Sequence, residues 1–338
     1  MRTALLFPVL FPLIAVLIPA NGQDSKQAII RVEVEMVSLP VVVMTRSGRH
    51  VADLQKEEFQ VFEDNVQQQI AAFETADEPI SIALALDTSG STLLKLQRIQ
   101  SEAIRFTNRL KPQDSVAVLA FADEVVLQQD FTTDRRRSAA AIQRTIPGGF
   151  TVLYEAVWLA LEEVLKSVHQ RSALVLFTDG VDTASEKVEK SETRDIAKES
   201  RAPIYCIYFN TQPEMQGPSG IPSGGRPLPP GSRRLPPPIP LPGVGSSTED
   251  YMGGRQYLSD LAEYSGGRVF DALTMEDLGP SFDAIAQELT SQYSIGYCPT
   301  NTKHDGRYRK VTVKVKRPGH YVQTRQGYWA PDDSRKKR

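Results

Sequence analysis

The run Ile80-Ser81-Ile82-Ala83-Leu84-Ala85-Leu86 passes directly into Asp87-Thr88-Ser89-Gly90-Ser91, and this junction constrains the chain more than any other feature. An apolar run of strand length, bounded by a Gly/Ser turn, reads as a buried strand of an α/β sheet. The stretch that follows, residues 93–110, carries Leu96, Ile99, Ala103, Phe106 and Leu110 at helical spacing. One carboxylate and two hydroxyls are thus displayed where a central strand gives way to a helix. Open α/β sheets place their ligand sites at that edge. Asp and Ser oxygens are hard ligands, suited to Mg²⁺ or Mn²⁺ and poorly suited to zinc or copper.

By itself Asp-x-Ser-x-Ser is equally a turn and a helix cap. Two later segments change its weight. Pro147-Gly148-Gly149-Phe150-Thr151 precedes a helix-like stretch over residues 153–166, which sets Thr151 at a helix start. Ala173-Leu174-Val175-Leu176-Phe177 is a further buried-strand pattern and ends in Thr178-Asp179-Gly180-Val181-Asp182. Separate loops therefore offer Asp87, Ser89 and Ser91, then Thr151, then Asp179. That oxygen set suits an octahedral Mg²⁺ that keeps some water and an open position.

These segments, in this order, resemble the von Willebrand factor type A domain, and more narrowly the bacterial secreted family called von Willebrand factor A-related. The Gly-Gly-x-Thr-x-Leu-Tyr pattern of residues 148–154 and the Phe-Thr-Asp-Gly pattern of residues 177–180 carry the likeness. It implies an α/β fold: a doubly wound, mostly parallel, Rossmann-like sheet with a metal-ion-dependent adhesion site at its C-terminal edge. Ser89, Ser91 and Thr151 would then bind the ion directly, and Asp87 and Asp179 mainly through water. The resemblance further implies that a partner protein's carboxylate completes the coordination.

Three neighbours of the site are candidate partner contacts. Phe150 lies on the predicted rim, where contact with a ligand and burial are equally open readings. Tyr154 either faces the metal loop or packs beneath it, and a mid-helix aromatic favours packing. Asp182 either backs the ligands or caps the stretch that follows it.

Organisation along the chain is uneven. Residues 1–22 read as a signal peptide: Arg2, an apolar run, and small residues at Ala20 and Gly22 predict cleavage before Gln23 and a secreted or periplasmic protein. No later run is long and apolar enough for a stable membrane span. Residues 23–77 form an N-terminal β module, with Ile30, Val32, Val34 and Met36 alternating along a strand and a hairpin expected between residues 59–62 and 69–73. Residues 78–290 are the α/β domain, interrupted at 211–250 by a Pro/Gly-rich insertion whose polyproline runs could give a second partner contact. Residues 291–330 read as C-terminal strands that pack with the N-terminal module into one sandwich, and 331–338 as a basic tail. Neither β segment alone makes an adequate core.

The formal charge of −2 offers no basic field for nucleic acid. The two cysteines, Cys206 in a buried-strand pattern and Cys298 after a C-terminal strand, leave a disulfide open. Dinucleotide and P-loop glycine motifs are missing, and the four histidines lack zinc spacing or a nucleophile to activate. The expectation is a non-enzymatic, Mg²⁺-dependent adhesion or protein-binding module. A scaffold subunit of an envelope complex, with the metal structural, is the alternative, and a metal-dependent hydrolase the third reading.

Overall fold

A computed structural model describes residues 36–209 and 247–332. The signal segment, the alternation over residues 30–35, nearly all of the Pro/Gly-rich insertion and most of the basic tail lie outside the described residues.

The first strands are β1 (Val37–Thr45), β2 (Phe59–Glu63), β3 (Val66–Gln68) and β4 (Ile70–Glu74). The hairpin turns at Asp64 and Asn65, whose φ values of 47° and 67° are both left-handed. Two such residues in succession make the turn that matches strand twist. The partner strand differs from the sequence expectation: β2 pairs with residues 66–68, Glu63 opposite Val66. Residues 70–74 leave for another sheet, where β4 pairs with a C-terminal strand. A two-residue turn fixes register at once, so the strand directly after Asn65 takes the pairing.

Six strands form the central sheet: β5 (Ser81–Asp87), β6 (Ser115–Phe121), β7 (Val125–Thr132), β8 (Ser172–Thr178), β9 (Ile204–Phe209) and β10 (Arg268–Ala272). Their order is β10-β9-β8-β5-β6-β7, parallel except for the β6–β7 hairpin. Every residue of β5 is buried, and its two faces differ. Ile82, Leu84 and Leu86 pack with Ile99 and Phe106 of α1 (Leu96–Arg109), while Ala83 and Ala85 pack with Leu153 and Val157 of α3 (Leu153–Trp158). Each large aliphatic buried this way is worth about 1.5–3 kcal/mol over exposure. Between them in sequence lies α2 (Arg135–Gln143), capped by Asp134.

After β8 come α4 (Lys190–Glu199), α5 (Thr248–Ser265) and α6 (Leu278–Ser291). The helix α5 takes residues 248–250 out of the predicted insertion. Its start is a capping box: Ser247 Oγ accepts from Asp250 N at 3.2 Å and Asp250 returns the bond to Ser247 N at 2.9 Å. The Gly253-Gly254 pair, a loop signal in sequence, lies inside the helix because Gly254 packs on backbone. A Cβ there would meet the Gly180 oxygen at 2.6 Å.

The chain closes with β11 (Tyr293–Tyr297), β12 (Tyr308–Val315), β13 (His320–Gln323) and β14 (Gly327–Trp329). Two four-stranded antiparallel sheets result, β13-β1-β11-β4 and β14-β12-β2-β3, each mixing strands from both ends of the chain. They share a core of Leu39, Val41, Phe59, Val61, Tyr293, Ile295, Val311 and Val313. At the Pro318-Gly319 turn the chain switches sheets, so β12 and β13 do not pair. Cys206 and Cys298 are both free thiols. Among the described residues no helix is long and apolar enough to cross a membrane.

Candidate metal centre

At the C-terminal end of β5 the chain tightens around one carboxylate. Asp87 Oδ1 accepts from Ser89 N at 3.0 Å and Ser89 Oγ at 2.6 Å, while Oδ2 accepts from Thr178 Oγ1 at 2.7 Å. Ser89 Oγ lies 3.2 Å from Ser91 Oγ. The next residues form a 3₁₀ helix, Gly90–Lys95, rather than the first turn of α1. Thr92 fixes its entry by donating both its amide and its hydroxyl to Ser89 O, at 3.0 and 2.9 Å.

Backbone bonds bring the other loops against this one. Gly148 N donates to Thr88 O at 2.9 Å and Gly90 N to Gly149 O at 3.2 Å, so the segment ending in Thr151 lies beside the Ser89 turn. The Thr178–Asp87 bond does the same for the segment carrying Asp179. Thr183 N and Ala184 N both donate to Thr151 O, at 2.9 and 3.2 Å, which ties the second and third loops together. A side chain at Gly148 would prevent this approach, since a Cβ there would meet Ala122 Cβ at 2.5 Å. Asp87, Ser89 and Thr151 have no exposure, Asp179 has 1% and Ser91 5%.

Electrostatics point the same way. Burial pushes the Asp87 carboxyl up from its ordinary range, against the pull of the Ser89 and Thr178 hydrogen bonds, and the charge of Asp182 adds to the rise. A buried anion surrounded by hydroxyls and a further carboxylate is costly unless a cation joins it. Among the described residues no three His, Cys, Asp or Glu side chains gather to hold an ion. The donors here are two carboxylates and three hydroxyls, a hard-oxygen set that fits Mg²⁺ or Mn²⁺.

The three flanking candidates separate. Phe150 is 49% exposed on the rim, its amide held by Asp123 Oδ1 at 2.8 Å. Tyr154 is half-buried, with its ring edge-on to Tyr257 at 5.1 Å, and burial pushes its phenol up to about 12. It packs beneath the site rather than presenting a surface. Asp182 caps backwards, accepting from Tyr154 N at 3.1 Å in the first turn of α3 and from Ser185 N at 3.0 Å. Asp182 therefore holds the first turn of α3 and also the start of the stretch that follows it.

Sequence reasoning left several working residues unassigned. Thr178 orients Asp87, and its signal was its place at a strand end one residue before Asp179. Asp123 accepts from Gly149 N and Phe150 N, at 2.9 and 2.8 Å, and those bonds hold its carboxyl below the usual range although the side chain is exposed. In the sequence it is simply one of the residues between β6 and β7. Lys95, nearly buried at the end of the 3₁₀ turn, sets its Nζ 4.4 Å from the centre of the Phe209 ring.

A family model for the von Willebrand factor type A domain matches residues 82–181, the span from β5 through the Asp179 loop. The chain carries a von Willebrand factor type A domain. No curated protein matches it. Among solved structures it is similar to proximal thread matrix protein 1 from the mussel byssus, at 13% identity and a TM-score of 0.45. That match covers 74% of this chain and half, 50%, of the mussel protein. A second structure of that mussel protein is described as having a zinc-occupied MIDAS motif. BatB from Bacteroides thetaiotaomicron aligns at 17% identity and a TM-score of 0.44, over 62% of this chain and 97% of its own. The PilB minor pilin from Streptococcus sanguinis aligns at 14% identity and 0.43, over 63% and 61%.

Proposed function

We propose that this chain is an exported protein-binding module that uses Mg²⁺, or Mn²⁺, to recognise a carboxylate on a partner protein. The observation that carries the proposal is the meeting, at one sheet edge, of buried oxygens from Asp87, Ser89, Ser91, Thr151 and Asp179 on loops bonded to one another. Those residues would hold the ion, which supplies an electrophilic centre with a preference for hard oxygen. Thr178 and the Ser89 amide keep Asp87 in one orientation, so the cradle is formed before any ligand arrives. Hydroxyls give up less charge than carboxylates, and a site with three of them favours an external anion over a closed shell. Phe150 stands on the rim as a hydrophobic contact for that partner. The pattern of residues 148–154 supports placement in the bacterial secreted group, and the leader-like residues 1–22 support export.

Capture from an extracellular or periplasmic extract on the immobilised full chain tests this reading. It is run in Mg²⁺, in EDTA, and with Asp87→Ala in Mg²⁺. A species held only by the wild type in Mg²⁺ supports metal-mediated recognition and supplies the partner. Retention indifferent to both EDTA and Asp87→Ala refutes it.

A further inference from the structure

Far from the metal centre, at the C-terminal end of α5, the sandwich presents an aromatic slot. Tyr308 of β12 and Trp329 of β14 are directly opposite in the antiparallel pair, and Tyr264 of α5 completes the group. Both tyrosine rings stand steeply to the indole: Tyr264 at 88° with centres 5.2 Å apart, Tyr308 at 66° and 4.7 Å. Gly327 makes room for this, since a Cβ there would meet the Tyr308 ring at 2.4 Å. The slot has a volume of about 330 Å³ and is lined also by Glu263 and Gln326. Tyr308 remains 45% exposed and Trp329 37%. Glu263 is exposed and makes no ion pair or hydrogen bond among the described residues.

Steep aromatic walls on an aromatic floor are what a polyproline helix docks into: its rings are rigid, pre-ordered and stack on aromatic faces. The same chain carries such a ligand in residues 226–240, Arg-Pro-Leu-Pro-Pro-Gly-Ser-Arg-Arg-Leu-Pro-Pro-Pro-Ile-Pro. That segment lies outside the described residues. Of the lining side chains only Glu263 carries charge, opposite in sign to Arg226, Arg233 and Arg234, while Lys198 Nζ, paired with Asp195, stands 5.1 and 5.0 Å from the Tyr264 and Trp329 ring centres. The segment's tether is long enough. Seating Pro227–Pro230 leaves residues 210–226 on one side and 231–247 on the other, each about 55 Å when extended, against roughly 27 Å for the length of α5. We propose that the Tyr264–Tyr308–Trp329 slot docks the chain's own proline-rich segment, residues 226–240. This inference is independent of the metal site.

A fluorescein-labelled peptide of residues 226–240 is titrated into the full chain with Pro227, Pro229, Pro230, Pro236, Pro237 and Pro238 each changed to Ser, which frees the slot. Saturable binding is expected. In that background Trp329→Ala weakens it by about thirty-fold, as for a central aromatic anchor. Glu263→Lys, a surface change that leaves the fold alone, weakens it by about three-fold. The unaltered chain binds the peptide less tightly, because the tethered segment competes at high effective concentration. Absence of binding, or binding unmoved by both Trp329→Ala and Glu263→Lys, overturns the proposal. So does protection of Trp329 emission by a soluble oligosaccharide but not by the peptide, which would assign the slot to sugar.

Discussion

Two buried carboxylates, Asp87 at the edge of the central sheet and Glu63 in the sandwich, are built from similar parts and do different work. Glu63 is 2% exposed and accepts from Tyr297 and Tyr328, each at 2.8 Å. Those phenols come from β11 and β14, and burial with the neighbouring Glu63 pushes both up, so they remain protonated donors. Asp87 accepts from Ser89 and Thr178, but around it lie further oxygens, Ser91, Thr151 and Asp179, on loops at the mouth of the sheet. The sandwich network closes on itself and joins strands that are distant in sequence. The sheet-edge network is rich in acceptors, and in the function proposed above a cation would complete it. Burial of a carboxylate does not by itself define a site; the balance of donors to acceptors around it does.

The comparison breaks or sharpens under substitution. The largest effect is expected at Asp87. Mg²⁺ at about one hundred times its dissociation constant stabilises the wild type by about 2.7 kcal/mol, and Asp87→Ala abolishes that gain. Thermal unfolding with and without EDTA reads it; an equal Mg²⁺ response in the variant would put the ion elsewhere. Next comes Gly254→Ala, which drives a methyl into the Gly180 backbone behind Asp179. It costs about 1–3 kcal/mol and also weakens the Mg²⁺ response, so both bridging and stability move together. In the sandwich, Tyr297→Phe leaves Glu63 short of a donor and costs about 1–3 kcal/mol in urea unfolding, with the Mg²⁺ response unchanged. A Mg²⁺ response that fell with Tyr297→Phe would mean the two networks are coupled. The smallest change is Asn65→Gly at a left-handed turn position, worth a gain of roughly 0.5 kcal/mol and silent toward Mg²⁺.

Most of the α/β framework is legible in the sequence because four of its strands, β5, β6, β8 and β9, are buried along nearly their whole length. Residues 82–86 and 173–177 are uninterrupted apolar runs that lead into oxygen-bearing side chains, the pattern of strands buried on both faces. The sandwich is harder to read, since its strands are short and pair across more than 200 residues, as β2 with β12. Local turn chemistry showed a hairpin at Asp64-Asn65 but left its partner strand to tertiary pairing. The start of α5 was hidden by Gly253-Gly254, whose purpose is contact with Gly180 and cannot be seen without the fold. The Ser247–Asp250 capping box was the local signal that outweighs those glycines. At the site, ligand types follow from the motif, whereas the supporting roles of Thr178, Asp123 and Asp182 depend on which loops meet.

The most direct test of the account is calorimetric titration of Mg²⁺ into the full chain and into Asp87→Ala and Thr151→Ala, each shown to be folded. One bound ion per chain in the wild type, lost with Asp87→Ala and weakened at least ten-fold with Thr151→Ala, is the predicted result. Undiminished binding in both variants, or no binding to the wild type, would contradict a metal centre built from these loops.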